Sequence, residues 1–391
     1  MVDQGTNGVR PAGGGVARRR TRYRPIRGTH AAIVAGHPAA VAAGARMLDR
    51  GGNAVDAIIA TAAALSVVRP HMCGIAGDGF LLIHDAASGR NHAILAGGPA
   101  PATASPDRFP GGIPNVGPHI STVPGIVDGW GVALDRFGTL SWEEVLQPAI
   151  ELADRGFPLY ESLASWIAHY RGKYAADPAC AAVLLPGGRP PLAGELIVQK
   201  DLARTLRLLA QGGPRAFYEG EIAATYAAYL QGNGGLTTSD DLRRYHATVA
   251  EPIAASYRGY TISTQPPLSQ GWMVLQMLGA LEGVDLADLG HESGRRVAAL
   301  ARAVQASFED RQTLFGDPAF VPFSLDQVLS PARISEIRDR VRRGAPAGGS
   351  LSVAGGASDT TSLSAVDAQG NAVSMIQSLW VDAGVMVPGT G

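Results

Sequence analysis

"GGASDTTSLSAVDAQGNAVSMIQSLW", residues 355–380, places two adjacent threonines at the start of a hairpin-like pattern. Residues 361–366 and 372–379 have the composition of two β-strands, and the "DAQGN" that joins them contains a Gly-Asn pair suited to a tight turn. The pattern therefore predicts a β-hairpin with Thr360 at its start.

The paired threonines at this start allow two interpretations. A threonine hydroxyl is a weak nucleophile and needs a base beside it, and an N-terminal residue has one in its own α-amino group, whose pKa is about 8. A chain break between Asp359 and Thr360 would therefore give Thr360 both nucleophile and base. Alternatively, Thr360 and Thr361 are simply β-forming residues at an exposed strand start. The hairpin pattern alone favours this second interpretation.

The composition is that of a globular protein with a large core. The chain has 391 residues, a net charge of −1 and 46% hydrophobic residues, and no linker separates it into domains, so one layered α/β body is expected. The balanced charge argues against nucleic acid as a partner. The nine histidines are scattered without ligand spacing, so neither a metal nor a cofactor is expected. Cys73 and Cys180 are too few for a disulfide framework.

The N-terminal residues 1–28 contain arginines but no apolar run long enough for a signal peptide. They are interpreted as a flexible leader, and the protein is expected to be cytoplasmic. The most apolar stretch, residues 54–68, falls short of a membrane span and is predicted to be a buried core helix.

Another helix is predicted just before this core helix. Pro38 suits its first turn, and Val41, Ala45 and Leu48 share one apolar face. Asn53 is expected to cap the core helix that follows. The two helices should therefore form an adjacent pair.

Three glycines in "GIAGDGF", Gly74, Gly77 and Gly79, suggest a nucleotide-binding loop at first sight. A phosphate-binding loop needs a strand before the glycines and a helix after them, so that helix-end N–H groups meet the phosphate. Here a helix precedes the glycines, and residues 80–84 and 91–96 form a predicted hairpin after them. A structural turn with close backbone packing is therefore favoured over a phosphate site.

Six segments in the expected order resemble the gamma-glutamyltranspeptidase family, and together they span the chain from about residue 30 to its end. This resemblance implies an α/β fold of the N-terminal-nucleophile hydrolase type, a four-layer αββα sandwich that is incomplete at the C-terminus. It also implies a proenzyme that cleaves itself into a large and a small subunit. The segments are "GHPAAVAAGARMLDRGGNAVDAIIATAAALSVVRPHMCGIAGDGF", "STVPGIVDGWGVALDRFG", "FYEGEIAATYAAYLQGNGGLTTSDDLRRY", "YRGYTISTQPPLSQG", "SFEDRQTLFGDP" and "DTTSLSAVDAQGNAVS".

The resemblance assigns roles to residues of the hairpin. It makes Thr360 the nucleophile and the Asp359–Thr360 bond the site of self-processing, which reverses the preference drawn from the hairpin pattern. Ser378 matches a second-strand hydroxyl near the nucleophile, although an ordinary strand serine is an equally good interpretation. Gln377 and Trp380 are candidates to line the substrate pocket, although packing is the favoured interpretation of both.

The resemblance also divides the chain. Residues 29–359 correspond to the large subunit and residues 360–391 to the start of the small subunit, as a truncated hairpin. It places the oxyanion-hole glycines in the missing small-subunit segment, which becomes an expected partner, so the 391-residue chain alone is predicted to be inactive. The alternative from another class is a non-catalytic truncated fragment that acts only as an interaction module through its exposed sheet edge.

The expected substrate is a small γ-glutamyl amide such as glutathione, but two features depart from the family. The family carries an arginine that clamps the donor's α-carboxylate, and "LAGGPAPAT" offers only Gly97 or Pro99 at that place. Trp380 also replaces an asparagine of the family. An acylase that acts on another amide or a β-lactam side chain is therefore the leading alternative.

Overall fold

The computed structural model describes residues 26–114, 117–344, 360–379 and 386–391. Its strands are β1 (Ala32–Val34), β2 (Asp78–Asp85), β3 (Arg90–Ala96), β4 (Phe157–Pro158), β5 (Leu196–Ile197), β6 (Thr248–Ala250), β7 (Ile253–Tyr257), β8 (Tyr260–Thr264), β9 (Thr360–Val366) and β10 (Ala372–Ser378). Its helices are α1 (Pro38–Asp49), α2 (Ala54–Val68), α3 (Ile126–Phe137), α4 (Trp142–Arg155), α5 (Glu161–His169), α6 (Arg171–Ala176), α7 (Pro178–Leu184), α8 (Lys200–Gly212), α9 (Arg215–Tyr218), α10 (Glu221–Gly232), α11 (Ser239–Arg244), α12 (Gly271–Leu281), α13 (Gly294–Leu314), α14 (Leu325–Val328) and α15 (Pro331–Arg343). Single 3-10 turns lie at Pro106–Arg108, Pro118–Ile120 and Pro186–Gly188.

A six-stranded antiparallel sheet in the order β1-β9-β10-β2-β3-β6 forms the centre of the molecule. The predicted β9–β10 and β2–β3 hairpins are both confirmed, and they lie side by side although they are far apart in the chain. The turn of the β9–β10 hairpin is held by Asp367, whose carboxylate accepts the Asn371 N–H at 2.9 Å and the Ala54 N–H of α2 at 2.9 Å. This carboxylate therefore attaches the hairpin to the first turn of the core helix.

Helix α2 is the centre of the hydrophobic core, as predicted. All fifteen of its residues are buried. Its N-terminus has a capping box in which the Asn53 side chain accepts backbone N–H groups and Asp56 accepts the Asn53 N–H at 2.8 Å. Asp56 also accepts the hydroxyl of Thr139 at 2.6 Å and the N–H of Leu140 at 3.1 Å, so the buried carboxylate is well supplied with donors.

The buried face of α1 differs from the predicted one. Val41, Ala45 and Leu48 are only half-buried, and the fully buried residues are Ala40, Ala43, Gly44 and Met47. The reason is the close approach of α2, because a Cβ at Gly44 would lie 2.3 Å from the Thr61 hydroxyl oxygen. Small residues let the two helices meet closely, a feature that the size of the apolar side chains alone does not reveal.

The two faces of the central sheet have different surroundings. The helix layer covers Leu363, Ala365, Val373 and Met375, each at most 2% exposed. On the opposite face, Val34 is 67% exposed and Val366 and Ile376 are each 44% exposed, so the β1-β9-β10 part of this face is open within the described residues. The described part of the chain thus packs a helix layer on one face of the central sheet.

Helices α12, α13 and α15 pack beside the β7–β8 hairpin around smaller clusters of apolar residues. A partly buried ion pair joins Asp310 to Arg333 at 2.6 Å, and the Gln276 amide donates to Asp310 at 2.7 Å. Across the described residues, no helix has the length and apolarity to cross a membrane. Cys73 and Cys180 are buried and form no disulfide.

Candidate active site

Four neighbouring strands of the central sheet, β9, β10, β2 and β3, each bring one residue to the same edge of the sheet. This edge is the one formed by the strand ends, not by an outer strand. Thr360 begins β9, Ser378 ends β10 and Asp78 begins β2, and the strand register places these three directly opposite one another. Strand β3 ends at Ala96, which pairs with Gly79, so the next residue, Gly97, lies opposite Asp78. Directly opposite residues of antiparallel strands share a face. Thr360, Ser378, Asp78 and Gly97 therefore form a row, called here the edge row.

The two hydroxyl groups of the edge row contact each other. The Thr360 Oγ1 hydroxyl donates to Ser378 Oγ at 3.2 Å. Thr360 is exposed and Ser378 is half-buried, so the pair lies where a small molecule can reach it. The structure brings the predicted nucleophile and the predicted second hydroxyl together.

The second threonine of the pair has different surroundings. Thr361 is 3% exposed, and its hydroxyl lies 3.8 Å from the Met72 sulfur on the helix-facing side of the sheet. Alternation along β9 is the cause, because successive side chains of a strand point to opposite faces. Thr360 is thus the member of the pair that faces the open side.

Gln377 is not in the edge row, which corrects the expectation that it lines a substrate pocket. Its side chain is 1% exposed and donates to the Ala62 carbonyl oxygen of α2 at 3.0 Å. Because it neighbours Ser378 on one strand, its side chain points to the helix layer when that of Ser378 points away. Asp359 and Trp380 lie outside the described residues.

Glycines on either side of Asp78 permit close packing around the edge row, as predicted. A Cβ at Gly77 would lie 2.3 Å from the Ser378 carbonyl oxygen, and one at Gly79 would lie 2.6 Å from the Ile376 carbonyl oxygen. Gly77 O also accepts the N–H groups of Gly125 and Ile126 at 3.0 Å each, which connects the glycine turn to the start of α3. Larger residues here would separate β2 from β10.

The segment after β3 carries no charged side chain where the resemblance implies an arginine. Gly97 and Pro99 flank Gly98, whose N–H donates to Asp78 Oδ1 at 3.1 Å. The Pro99 carbonyl accepts the Val123 N–H at 2.9 Å, and a Cβ at Gly98 would lie 1.5 Å from the Val123 carbonyl oxygen. This segment is therefore held tightly beside Asp78.

Asp78 is the one ionisable member of the edge row, and sequence analysis did not single it out. Burial raises the pKa of its carboxyl group to about 6, against the opposing effect of hydrogen bonds from Gly98 and from Thr122, whose hydroxyl lies 3.4 Å from Oδ2. The available signal was an acidic residue between two glycines at the start of an apolar strand.

Two tyrosines interact electrostatically with Asp78. Burial and, less strongly, the charge of Asp78 raise the pKa of both Tyr226 and Tyr245 above the usual value for tyrosine. Both phenols therefore stay neutral throughout the physiological range. In the described ranges, no group of three or more His, Cys, Asp and Glu side chains has a metal-binding arrangement.

Comparison with solved structures defines the class. The chain is similar in structure to the cephalosporin acylase from Bacillus halodurans. That structure matches with a TM-score of 0.83 and 30% identity, over 95% of this chain and 71% of that one. The fold is thus that of the N-terminal-nucleophile hydrolases.

The family follows from sequence comparison. The family model described as "Gamma-glutamyltranspeptidase" matches residues 40–391. An acylase ACY 1 proenzyme from Pseudomonas sp. (strain SE83) is 40% identical over 385 residues, 94% of this chain and 69% of the relative. A glutathione hydrolase proenzyme from Bacillus subtilis (strain 168) is 38% identical over 313 residues, 78% of this chain and 53% of the relative. The chain belongs to the gamma-glutamyltranspeptidase family of enzymes.

Proposed function

We propose that the protein is a self-processing amide hydrolase and acyltransferase in which Thr360 is the nucleophile. The observation that carries this proposal is the hydroxyl pair at the sheet edge, in which Thr360 Oγ1 lies 3.2 Å from Ser378 Oγ on the open face. An acceptor at hydrogen-bond distance orients the attacking hydroxyl. The names of two relatives, both proenzymes, support the same interpretation.

Maturation uses the hydroxyl of Thr360 before any substrate arrives. Its oxygen attacks the carbonyl carbon of residue 359, the C–N bond to Thr360 breaks, and an ester joins residue 359 to the Thr360 side chain. Water then hydrolyses this ester. The products are a carboxylate at residue 359, a free hydroxyl and a free α-amino group on Thr360.

Turnover uses that new amino group as the base. With a pKa of about 8, the neutral amine accepts the hydroxyl proton while Thr360 Oγ1 attacks the amide carbonyl of the donor. The proton passes to the departing amine, and the acyl group remains on Thr360 as an ester. Attack by water gives hydrolysis, and attack by an amine acceptor gives transfer. Either step restores the free threonine.

Two donor classes fit this chemistry. The first is a γ-glutamyl amide such as glutathione, in agreement with the name of the Bacillus subtilis relative. The second is the amide of another acyl group, as in an acylase, in agreement with the name of the Pseudomonas relative. The lack of a cationic side chain at Gly97 and Pro99 favours the second class, because an α-carboxylate would have no guanidinium partner there.

The open side of the sheet supports the proposal that a further small-subunit segment is a partner. Val34, Val366 and Ile376 are exposed there, and the chain spans 69% of the Pseudomonas relative's length. Strands packed on this face would bury the apolar side chains. We therefore expect residues 1–391 alone to lack turnover. The alternative is that the open face is only an interaction module. In that case the full-length protein will bind a partner through this face but will not cleave itself.

Intact mass of the full-length gene product tests the nucleophile. The parent should give two fragments that meet between Asp359 and Thr360, whereas Thr360→Ala should give one uncut chain. Thr361→Val is the matched control, since it changes the neighbouring threonine on the helix-facing side, and it should still process. An uncut parent would remove Thr360 from the mechanism.

Anilide substrates then test the donor class. The purified, processed enzyme is assayed with γ-glutamyl-p-nitroanilide and with γ-aminobutyryl-p-nitroanilide, which differ only by the α-carboxylate. A γ-glutamyl enzyme will lose at least about tenfold in kcat/KM without the carboxylate. An enzyme without a carboxylate clamp will turn over both anilides at similar rates.

A further inference from the structure

Ser378 is held in place by hydrogen bonds from the residues on both sides of it in the chain. One residue earlier, the Gln377 side chain donates to the Ala62 carbonyl oxygen of α2 at 3.0 Å. One residue later, the Leu379 N–H donates to the Met72 carbonyl oxygen at 3.1 Å. These two bonds attach the end of β10 to the core helix α2 and to the segment that follows it.

Thr360 is less firmly attached than Ser378. Strand β9 lies between β1 and β10, but β1 pairs only with residues 364–366, so within the described residues β10 is the one strand beside Thr360. Under the proposed mechanism, cleavage of the bond before Thr360 also removes its covalent connection on that side. The distance between the two hydroxyl groups therefore depends on how firmly Ser378 is held.

The amide of Gln377 is costly at its position. Its side chain is 1% exposed, and its oxygen Oε1 forms no hydrogen bond within the described residues. The amide also interacts with the thiol of Cys73, a weak partner that is itself buried. An apolar side chain of similar length would avoid the burial of an unpaired oxygen. What the amide adds is a directional bond to Ala62, which fixes the register of β10 and thus the face on which Ser378 lies.

We propose that Gln377 is a positioning residue for the reaction, because its bond to α2 holds the Ser378 hydroxyl where it accepts from Thr360. This inference rests on the proposed function, since it takes Thr360 as the nucleophile. A displacement of about 1 Å at a reacting group can reduce the rate about a hundredfold. Gln377 lies on the opposite face of the sheet from the hydroxyl pair, so it acts through Ser378 and not on the substrate.

A purely structural role for Gln377 is the competing explanation. In that role its substitution would lower the stability of the fold without changing turnover by the folded molecules. Gln377→Met separates the two roles, because methionine keeps the length and the apolar contacts of the side chain but cannot donate to Ala62. Met375→Ala is the matched control. Met375 is fully buried on the same face of β10, and its truncation costs stability without removing the bond to Ala62.

The experiment measures kcat and KM of the full-length enzymes after processing is complete, at equal concentrations of folded protein. The substrate is whichever of the γ-glutamyl and γ-aminobutyryl p-nitroanilides the parent turns over faster. We expect Gln377→Met to lower kcat by roughly ten- to hundredfold and to leave KM within about threefold. Met375→Ala should be the less stable protein in urea unfolding, yet keep kcat within about twofold. A kcat that followed urea stability across the two variants would overturn the proposal.

A double-mutant cycle tests whether Gln377 acts through Ser378. Ser378→Ala alone should lower kcat, and adding Gln377→Met to it should reduce kcat by no more than about a further twofold. Losses that multiply, or a Ser378→Ala enzyme with the kcat of the parent, would contradict the inference. Absence of both self-cleavage and turnover in the parent would instead refute the proposed function, on which this inference rests.

Variants of Cys73 provide the test if Gln377→Met does not fold. Cys73→Ala removes the thiol beside the Gln377 amide and should lower kcat by roughly three- to tenfold with little change in KM. Cys73→Ser keeps a polar hydrogen-bonding group there and should retain the kcat of the parent within about twofold. Equal kcat values for Cys73→Ala and Cys73→Ser would contradict the inference.

Discussion

The two faces of the β9–β10 hairpin carry similar residues but differ in their burial and in their contacts. On the helix-facing side, Thr361 is 3% exposed and Gln377 is 1% exposed and bonded to α2. On the open side, Thr360 and Ser378 form a hydroxyl pair within reach of solvent. The strand pleat assigns each neighbour to one face or the other. In this hairpin, the position of a residue in the pleat, more than its type, therefore decides whether its side chain packs against the helix layer or lies on the open face.

The largest expected effect tests the open face. Thr360→Ala removes the hydroxyl that we propose as the nucleophile, so amide hydrolysis by the full-length enzyme should fall by at least about a thousandfold. Thr361→Val should keep activity within about tenfold, because the hydroxyl it removes faces Met72. The measurement is kcat/KM for an anilide substrate. If Thr361→Val lost activity as completely as Thr360→Ala, the functional division between the two faces would be wrong.

A stability measurement makes the same comparison in apolar residues. Met375 is fully buried against the helix layer, whereas the adjacent Ile376 is 44% exposed. In the 391-residue chain, Met375→Ala should lower the free energy of unfolding by about 2–5 kcal/mol and Ile376→Ala by less than about 1 kcal/mol. Urea unfolding measures both. A much larger cost of Ile376→Ala in the full-length protein would locate the surface that covers the open face.

The sequence was sufficient for the regular elements. The periodicity and cap of α2, the glycine turn before β2 and the β9–β10 hairpin all follow from local rules. The direction of Gln377 was also available, because a residue next to Ser378 on a strand cannot share its face. The same rule makes packing against α2 the expected role of Gln377.

Other features depend on packing between distant segments. The buried face of α1 is set by the close contact between Gly44 and α2. The position of Asp78 in the edge row requires β2 to pair with β10, nearly 300 residues later in the chain, and no local pattern predicts that pairing. The helix-facing support of the site was thus easier to predict than the polar residues of the edge row.

One buried and one half-buried carboxyl group extend the comparison between support and site. Asp56 is fully buried and accepts hydrogen bonds from Asn53, Thr139 and Leu140. Donors within the protein therefore satisfy its carboxylate. Asp56→Asn replaces an acceptor oxygen with a donor and should lower the free energy of unfolding by about 1–3 kcal/mol. Thermal or urea unfolding of the 391-residue chain at neutral pH measures this. A loss of less than about 0.5 kcal/mol would mean that asparagine can satisfy the same donors.

Asp78 should behave in the opposite way, because its substitution should raise stability and the gain should depend on pH. Its pKa is about 6 in the folded protein and about 4 in an unfolded chain. As the pH rises from about 4 to about 6, the unfolded chain releases this proton while the folded protein keeps it, so the folded state loses stability. Asp78→Asn removes this loss.

The variant should therefore gain stability relative to the parent across that window, by at most about 2–3 kcal/mol, and the difference should level off above about pH 7. Urea unfolding of parent and variant at several pH values measures the difference, with Asp85→Asn as the control from the other end of β2. If the parent were the more stable protein at neutral pH, the carboxylate of Asp78 would belong with Asp56 to the supporting structure. A gain for the variant would instead mark a charge that the folded protein carries at a cost.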